Sequence, residues 1–468
     1  MLEKLDYLYF KFPKIIQEIG INIYELKEWR LQRKKAFKEN LLLLKKSENW
    51  SKEDIVRYQN KHLKKIVRYA YKNVPFYKNL YKENNIDITK IKNVSDLKKL
   101  PTVKKEDIRE YWSHFISRDD PSGTIHYTSG TTGKPLKIKL SNNLVLLQKA
   151  NAYRRDLWAG WNNDWRARFV GDKPLKNCEK YPLFRKSYVM KRAIFPSYCI
   201  SIKTIPYFLN CLKKLNIKYI QAYPSTAYLL AKYLEMNDIY HQMNAVLYSS
   251  EPLYDFQRKT IEDRFQTKTY GYYAQAEDVA TALECEKGNY HLTGIDGIME
   301  IVKGGKDVDE GKKGFIIATS LHNFSMPLIR YELNDYSGYR KENCNCGRCS
   351  PLIYPVETKK EDFIITTKGN ILSPSLLTFP LKQSNDIIES QLIQKNINKI
   401  LIKIVVNKHF SKDDEKKLLK SFFSLLPDEM EIEIEYVDKI EQTNSYKKRF
   451  IINELGKDYI DKAFKEFN

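Results

Sequence analysis

The sequence predicts an α/β protein with a large N-terminal domain of mainly parallel sheets and a small α+β C-terminal domain. Three observations carry that expectation. Helical and strand patterns alternate through residues 143–248, at the lengths of successive βα units. A shorter alternation returns in the tail: Ile400 to Val406 as a strand, Lys412 to Leu425 as a helix, Met430 to Tyr436 as a strand. The chain of 468 residues is also too long for one ordinary domain, and ample for a large core beside a smaller one.

The elements follow in order. Residues 1–44 are helical and basic, with Lys27-Glu28-Trp29-Arg30-Leu31-Gln32-Arg33-Lys34-Lys35 as their densest run. A basic amphipathic helix can lie on an anionic membrane; packing of its aromatic side on the body is the expectation here. Ser51-Lys52-Glu53-Asp54 reads as a capping box opening a helix to Asn73. Val74-Pro75-Phe76-Tyr77 breaks it, and Val94-Ser95-Asp96-Leu97 begins another short helix. Thr124 to Tyr127 and Leu136 to Leu140 are short strands around a loop. Asn143 to Trp158 is a helix, Ala167 to Val170 a strand, Ile205 to Leu215 a helix, and Tyr219 to Pro224 a buried strand. Ser225 to Glu235 is helical and Ala245 to Tyr248 is a strand. Parallel sheets of this kind place ligands at the carboxyl ends of their strands.

Composition narrows the function classes. Hydrophobic content of 42% and aromatic content of 13% indicate a folded chain. The net charge of +22 is compatible with nucleic acid, an anionic surface or an acidic substrate. Its lysines are spread along the whole chain and no nucleic-acid signature accompanies them, so no nucleic-acid partner is expected. The seven cysteines are an odd number, and Cys178, Cys199 and Cys211 stand apart from one another in apolar or mixed surroundings. Without a signal peptide or an apolar span, the expectation is a reduced, cytoplasmic protein with at most peripheral membrane contact.

The loop Thr128-Ser129-Gly130-Thr131-Thr132-Gly133-Lys134-Pro135 is the most distinctive stretch. Its glycines let backbone approach an anion, successive N–H groups can form a nest, and Lys134 adds positive charge. A polyphosphate suits it, although a Gly/Thr-rich hairpin turn would read similarly. A Walker A loop is excluded, because Pro135 and a strand follow the lysine where that loop opens a helix. With the motifs that follow it, T-S-G-T-T-G-K-P resembles the phosphate loop of the adenylate-forming superfamily, the acyl-CoA synthetases, luciferase and peptide-synthetase adenylation domains.

The resemblance runs along essentially the whole chain and is nearest to the phenylacetate–CoA ligase branch, in particular its relatives associated with capsule and surface polysaccharide. Tyr69 to Tyr77 and Asp96 to Lys105 match that branch's front motifs. The resemblance implies that Ser250, Glu251 and Pro252, in Ser249-Ser250-Glu251-Pro252, line an adenine pocket. In Tyr273-Ala274-Gln275-Ala276-Glu277 it implies nucleotide contacts for Tyr273 and Gln275 and a Mg²⁺-holding carboxylate for Glu277, a hard ligand for a hard cation. In Pro327-Leu328-Ile329-Arg330-Tyr331-Glu332-Leu333-Asn334-Asp335 it implies that Asp335 accepts both ribose hydroxyls, with Asn334 at a turn. In Thr443-Asn444-Ser445-Tyr446-Lys447-Lys448-Arg449, Lys447 takes the place of the lysine that reaches the substrate carboxylate and α-phosphate. A hinge is expected at Glu357 to Asp362, with Lys359 where the family has arginine; domains of 1–357 (1–115 mostly helical) and 358–468 follow, the second acting as a lid.

Cys344-Asn345-Cys346-Gly347-Arg348-Cys349 offers three thiols, and Cys285 with His291 offers a fourth thiol and an imidazole. Structural zinc takes four such donors in a closed tetrahedron. The resemblance selects Cys285, His291, Cys344 and Cys346, leaving Cys349 a bystander or a competing ligand. The activity implied is ATP-dependent conversion of a small-molecule carboxylate to an acyl-adenylate, with acyl transfer to the thiol of CoA or to an amine. Four motif glycines are replaced, at Ala274, Asn334, Thr358 and Tyr446, so a catalytically degenerate scaffold of the same fold is the alternative.

Overall fold

The computed structural model describes residues 9–128, 136–176, 178–179, 181–303, 305–356, 363–372, 374–381, 386–440 and 449–456. Ser129, Gly130, Thr131, Thr132, Gly133 and Lys134 of the loop, Thr358, Lys359 and Asp362 of the hinge, and Tyr446 and Lys447 lie outside the described residues. The front of the chain is helical: α1 (Lys14–Arg33), α2 (Lys35–Ser47), α3 (Lys52–Asn73) and α4 (Pro75–Glu83). The capping box of α3 forms as read. Ser51 Oγ accepts the Asp54 N–H at 3.1 Å, and the Asp54 carboxylate accepts the Ser51 N–H at 3.2 Å. Its Ile55, Leu63, Ile66, Val67 and Ala70 are buried at helical spacing. Pro75 both ends α3 and starts α4, where its missing N–H costs nothing at the first helical position.

β1 (Thr124–Tyr127) and β2 (Lys137–Leu140) pair antiparallel, with Thr124 opposite Leu140. α5 (Asn142–Trp158) follows, and then the main sheet: β3 (Arg166–Phe169), β4 (Arg185–Ser187), β5 (Arg192–Ile194), β6 (Tyr219–Ala222), β7 (Ala245–Ser249), β8 (Thr269–Tyr273), β9 (Ala282–Glu284) and β10 (Tyr290–Leu292). The helices between its later strands are α6 (Ile205–Lys214), α7 (Pro224–Met236) and α8 (Asp255–Arg264). A second sheet takes β11 (Gly297–Lys303), β12 (Lys306–Asp307), β13 (Gly314–Ser320) and β14 (Tyr331–Ser337), and β15 (Leu352–Ile353) returns to the first. The nine-stranded order is β15-β10-β9-β8-β7-β6-β3-β5-β4. Its centre, β5-β3-β6-β7-β8, is parallel, as the helix–strand alternation predicts. The flanks, and the whole four-stranded sheet β12-β11-β13-β14, are antiparallel. Asn334, expected at a turn, lies within β14, at the irregularity where its register with β13 shifts.

The tail forms β16 (Ile364–Ile365), β17 (Ile371–Leu372), α9 (Pro374–Leu381), β18 (Ile387–Asn396), β19 (Lys399–Val406), α10 (Lys412–Phe423), β20 (Glu431–Tyr436) and β21 (Ile451–Asn453). Its sheet runs β20-β19-β18-β21, and α10 is the crossover between the parallel strands β19 and β20. Apolar residues of this part, among them Ile364, Leu376 and Leu377, join the same core as Phe169, Phe195 and Phe208 of the large domain.

Two expectations are corrected. Cys178 and Cys199, read as separate thiols, are joined in a disulfide, while Cys211 is a buried free thiol. The two stand 21 positions apart and the chain between them folds back so that the pair meets, which spacing alone does not reveal. The first helix also does not pack its aromatic side inward. Its buried residues are Gln17 and Glu25, because Arg185 and Arg192 at the β4–β5 edge are themselves buried and require acceptors.

A buried charge cluster fastens α5 to the parallel centre. Asp156 accepts from Arg155 at 2.6 and 2.9 Å and from Arg166 of β3 at 2.6 Å, and Arg155 also donates to the Tyr248 carbonyl at 3.2 Å. Asp156→Ala would leave two guanidiniums buried without their carboxylate, and should cost roughly 3–5 kcal/mol of unfolding free energy. Burial alone would raise the Asp156 pKa, but Arg166 and Arg155 hold it below its ordinary 3.8. The stabilisation is therefore fully present above that value and lost as pH falls through the folded pKa. Urea unfolding of wild type and variant at neutral and acidic pH checks both statements. A variant within ~0.5 kcal/mol of wild type at neutral pH, the range of an ordinary surface change, would refute them.

Candidate active site

The carboxyl ends of β6, β7 and β8 lie side by side, with Ala222 opposite Tyr248 and Ser249 opposite Tyr272. The turn after β7 carries Ser249-Ser250-Glu251-Pro252, with Ser250 exposed and in the left-handed region at φ +73°. One Glu251 oxygen accepts the Ser225 N–H at 3.1 Å, in the first turn of α7. There the helix's free N–H groups and dipole favour a carboxylate. This contact holds the β7 turn against α7. Ser225 Oγ is buried and without a hydrogen-bond partner among the described residues.

Tyr273, the last residue of β8, donates its hydroxyl to Asp335 Oδ2 at 2.8 Å. The contact joins two sheets, since Asp335 belongs to β14. Burial raises the Asp335 pKa, while the Tyr273 hydroxyl and the charge of Lys105 act to lower it. Glu277 is buried in the β8–β9 connection, and its Oε1 accepts the hydroxyl of the fully buried Tyr331 at 2.7 Å. Neither Glu277 nor Asp335 has a lysine or arginine nitrogen within 4 Å among the described residues. Gln275 lies between Tyr273 and Glu277 in sequence. Its Oε1 accepts the Ala280 N–H at 3.3 Å, and its Nε2 is buried with no partner among the described residues.

Lys105 is placed by the front segment. Val103 N–H donates to the Arg330 carbonyl and Glu332 N–H to the Val103 carbonyl, both at 2.9 Å, so Val103 bridges the start of β14 two residues before Lys105 opens a short helix, Lys105–Glu110. Thr102 Oγ1 donates to Glu332 at 2.7 Å, and Arg330 holds the Leu100 carbonyl at 2.5 Å and Glu300 at 3.0 Å. The front motif and the Arg330–Asp335 motif are thus one structural unit. Thr128 closes the base of the β1–β2 loop: its N–H donates to the Leu136 carbonyl at 3.0 Å and its Oγ1 accepts the Leu136 N–H at 2.9 Å.

Of the residues read from the sequence, Tyr273, Asp335, Gln275 and Glu277 come together, with Ser250, Glu251 and Pro252 on the neighbouring strand end. Sequence reasoning passed over Tyr331 and Lys105 as site residues, though both stand inside quoted motifs. The available signal was a tyrosine four residues before Asp335 and a lysine four residues after Pro101. The arrangement leaves polar capacity unused: Asp335 and Glu277 each keep an oxygen that accepts no hydrogen bond among the described residues, and Gln275 Nε2 and Ser225 Oγ have no partner among them either.

A second constellation lies further along the same sheet. Ligand atoms of Cys285, His291, Cys344 and Cys346 all lie within 4.8 Å of one another. Cys285 Sγ is 3.6 Å from Cys344 Sγ, and Cys346 Sγ is 3.3 Å from His291 Nε2. Donors arranged tetrahedrally at about 2.0–2.3 Å from zinc stand at similar separations. Gly288 (φ +74°) turns the β9–β10 hairpin behind Cys285, and Gly347 (φ +86°) turns the chain behind Cys346. His291 Nδ1 is 3.2 Å from Ser350 Oγ, so its Nε2 is the nitrogen turned to the thiols. Burial, with the charge of Arg348, lowers the His291 pKa to about 4, which keeps it the neutral ligand that a metal takes. Burial raises the Cys285 thiol to about 12. At Cys344 hydrogen bonds, led by Asn289, outweigh burial and lower the pKa. Cys349 is exposed and outside the group. The set is closed on four donors and fits structural zinc.

Residues 364–454 match the model of the family described as the CapK C-terminal domain. Across 463 residues the chain is 24% identical to Protein CapK of Staphylococcus aureus, covering 96% of this chain and all of that one. Across 345 residues it is 25% identical to a phenylacetate-coenzyme A ligase of Thermus thermophilus, covering 69% of this chain and 74% of that one. Among solved structures, 2-hydroxyisobutyryl-CoA ligase with 2-HIB-AMP and CoA in its thioesterification state superposes with a TM-score of 0.56 at 16% identity. That likeness covers 87% of this chain and 92% of the other.

Purified protein should contain about one zinc per chain, as a closed mononuclear site does. Cys344→Ser should lower both metal content, by elemental analysis, and melting temperature. Metal-free wild type with an unaltered melting temperature would refute the assignment.

Proposed function

We propose that this chain, a homologue of Protein CapK and of the phenylacetate-coenzyme A ligases with the adenylate-forming ligase fold, is an AMP-forming ligase that activates a small-molecule carboxylate with ATP. The observation that carries the reading is the pair of carboxylates, Glu277 and Asp335, held by tyrosine hydroxyls where β8 and β14 meet. In this reading Asp335, oriented by Tyr273, accepts the two ribose hydroxyls, and Gln275 Nε2 donates to the nucleotide. The turn Ser250–Pro252 lies along the purine. Glu277 holds Mg²⁺, which when bound neutralises charge on the phosphates. Backbone N–H groups of the loop 128–134, with Lys134, hold the β- and γ-phosphates, and Lys447 reaches the α-phosphate. An oxygen of the substrate carboxylate attacks the α-phosphorus, the bond to the bridging oxygen breaks, and pyrophosphate leaves.

The small domain, 358–468, acts as a lid that brings Lys447 into place and then presents another face for acyl transfer. The complexes of 2-hydroxyisobutyryl-CoA ligase with acyl-AMP and CoA support the CoA thiol as acceptor. The likeness to Protein CapK extends over that protein's whole length, and with it we keep an amine acceptor, in surface polysaccharide synthesis, as the second reading. Dependence on ATP and CoA fits a cytoplasmic enzyme. Zinc is a brace and takes no part in the chemistry.

ATP–pyrophosphate exchange against a panel of carboxylic acids, aryl acids included, tests the reading. At least one acid should drive exchange, and Glu277→Gln should lower it by roughly 10²–10³-fold, the effect of losing one transition-state electrostatic group. Exchange with no acid would favour a degenerate scaffold. Lys447→Ala should slow adenylate formation by a similar factor and leave transfer from pre-made acyl-adenylate nearly untouched. Single-turnover kinetics of each half-reaction separates the two, and equal slowing of both would show that Lys447 is structural.

A further inference from the structure

The first helix is inside out. α1 turns polar residues to the body and apolar residues to solvent. At 100° per residue, Phe12, just ahead of the helix, and Ile15, Ile16, Ile19 and Ile23 share one face. All five are exposed; Ile15 is 71%, Ile19 52% and Ile23 64% accessible. Leu26, Lys27, Arg30 and Lys34 continue the same face toward the helix's C-terminal end. An isolated exposed isoleucine needs no explanation, but a contiguous ridge of this kind on a helix marks a surface that something covers.

Charge identifies the occupant. The helix contains three acidic residues, Glu18, Glu25 and Glu28, and all are engaged on the opposite face. Glu18 accepts the Lys186 N–H at 3.0 Å, Glu25 pairs with Arg192 at 2.8 Å, and Glu28 pairs with Lys149 at 3.4 Å. Lys27, Arg30 and Lys34 are exposed, with no carboxylate within 4 Å among the described residues. Lys38, also exposed, extends the positive end into α2. The ridge therefore carries apolar groups and cations and no anions, on a chain whose net charge is +22. A protein partner of ordinary composition would not ask for that segregation. A lipid surface with anionic headgroups does, since the isoleucines can enter the headgroup–acyl boundary while the cations meet phosphates.

We propose that the α1 ridge docks the protein on an anionic bilayer surface, with Phe12, Ile15, Ile16, Ile19 and Ile23 inserted and Lys27, Arg30 and Lys34 at the headgroups. The proposal is independent of the catalytic reading, because none of these residues belongs to the candidate active site.

The test is co-sedimentation of the full chain with vesicles of phosphatidylcholine alone and with vesicles containing about a third phosphatidylglycerol, at low and high salt. Wild type should pellet with the anionic vesicles only, and less at high salt. Ile19→Asp/Ile23→Asp should lower partitioning at least ~10-fold, because the inserted apolar area is replaced by charge. Lys27→Glu/Arg30→Glu/Lys34→Glu should lower it on the order of 100-fold, from about fivefold for each basic residue lost. Both variants should keep the wild-type melting curve, since the changed side chains touch solvent. Equal pelleting with neutral and anionic vesicles, or variants that bind like wild type, would overturn the proposal. So would a wild type that ignores vesicles while the isoleucine variant converts a dimer to a monomer, which would make the ridge a self-association face. A wild type that ignores vesicles while that variant melts earlier would also overturn it, by assigning the ridge to the chain's own first eight residues.

Discussion

A buried carboxylate has to be answered by something, and how this chain answers each one separates its scaffold from its site. Asp156 is met by two arginines, Glu25 by Arg192, Glu284 by Arg258 and Glu300 by Arg330. Each of those pairs fastens one element to another: α5 to β3, α1 to the β4–β5 edge, α8 to β9, and β11 to the start of β14. A guanidinium satisfies a carboxylate almost completely and leaves little for a ligand. Glu277 and Asp335 receive a phenol hydroxyl each. A neutral donor satisfies one oxygen and brings no opposing charge, so each of these two groups keeps an oxygen for a further partner. Of the remaining carboxylates of the neighbourhood, Asp296 receives the Thr293 hydroxyl on one oxygen, and neither Asp278 oxygen has a hydrogen-bond partner among the described residues. Burial, first of all, raises the pKa of both, and their mutual repulsion pushes Asp278 further.

The parallel centre was legible because its strands alternate with helices of ordinary length, and the capping box at Ser51 was legible because Asp54 stands three residues on. The antiparallel flanks were not. β9, β10 and β15 are two or three residues long, too short for a period of two to establish itself. The Glu277, Tyr273 and Asp335 positions were found through motif frames, and the frames did hold the residues that the fold collects. What the frames could not give is the partner: Tyr331 lies 54 residues from Glu277 and meets it only because β14 crosses to the end of β8. Lys105 was hidden for the same reason, being delivered by a segment that pairs with β14 from more than two hundred residues away. The orientation of α1 was misread because amphipathicity reports two faces without saying which is inside. Buried Arg185 and Arg192 decide that, and they belong to strands too short to be recognised from sequence.

The Cys285, His291, Cys344 and Cys346 set and the buried Glu277 share a piece of backbone. Glu277 stands in the connection that leaves β8; β9 follows at once and ends next to Cys285, and β10 returns with His291. Cys344 and Cys346 come from the segment before β15, which pairs with β10 through Tyr290 opposite Ile353 and His291 opposite Leu352. Closing the four donors thus fixes the register of the antiparallel flank, where β9 and β10 pair over three residues only. A flank with so few ladder bonds gains little from its own hydrogen bonding, and register is weakly specified wherever strands are short. A brace at its open end compensates. The same flank adjoins the connection that carries Gln275 and Glu277, since β9 pairs with β8 through Ala282 opposite Tyr273. A closed metal site would have a physical reason there: the antiparallel edge is the part of the large sheet that the βα alternation does not hold in place, and Glu277 hangs from it.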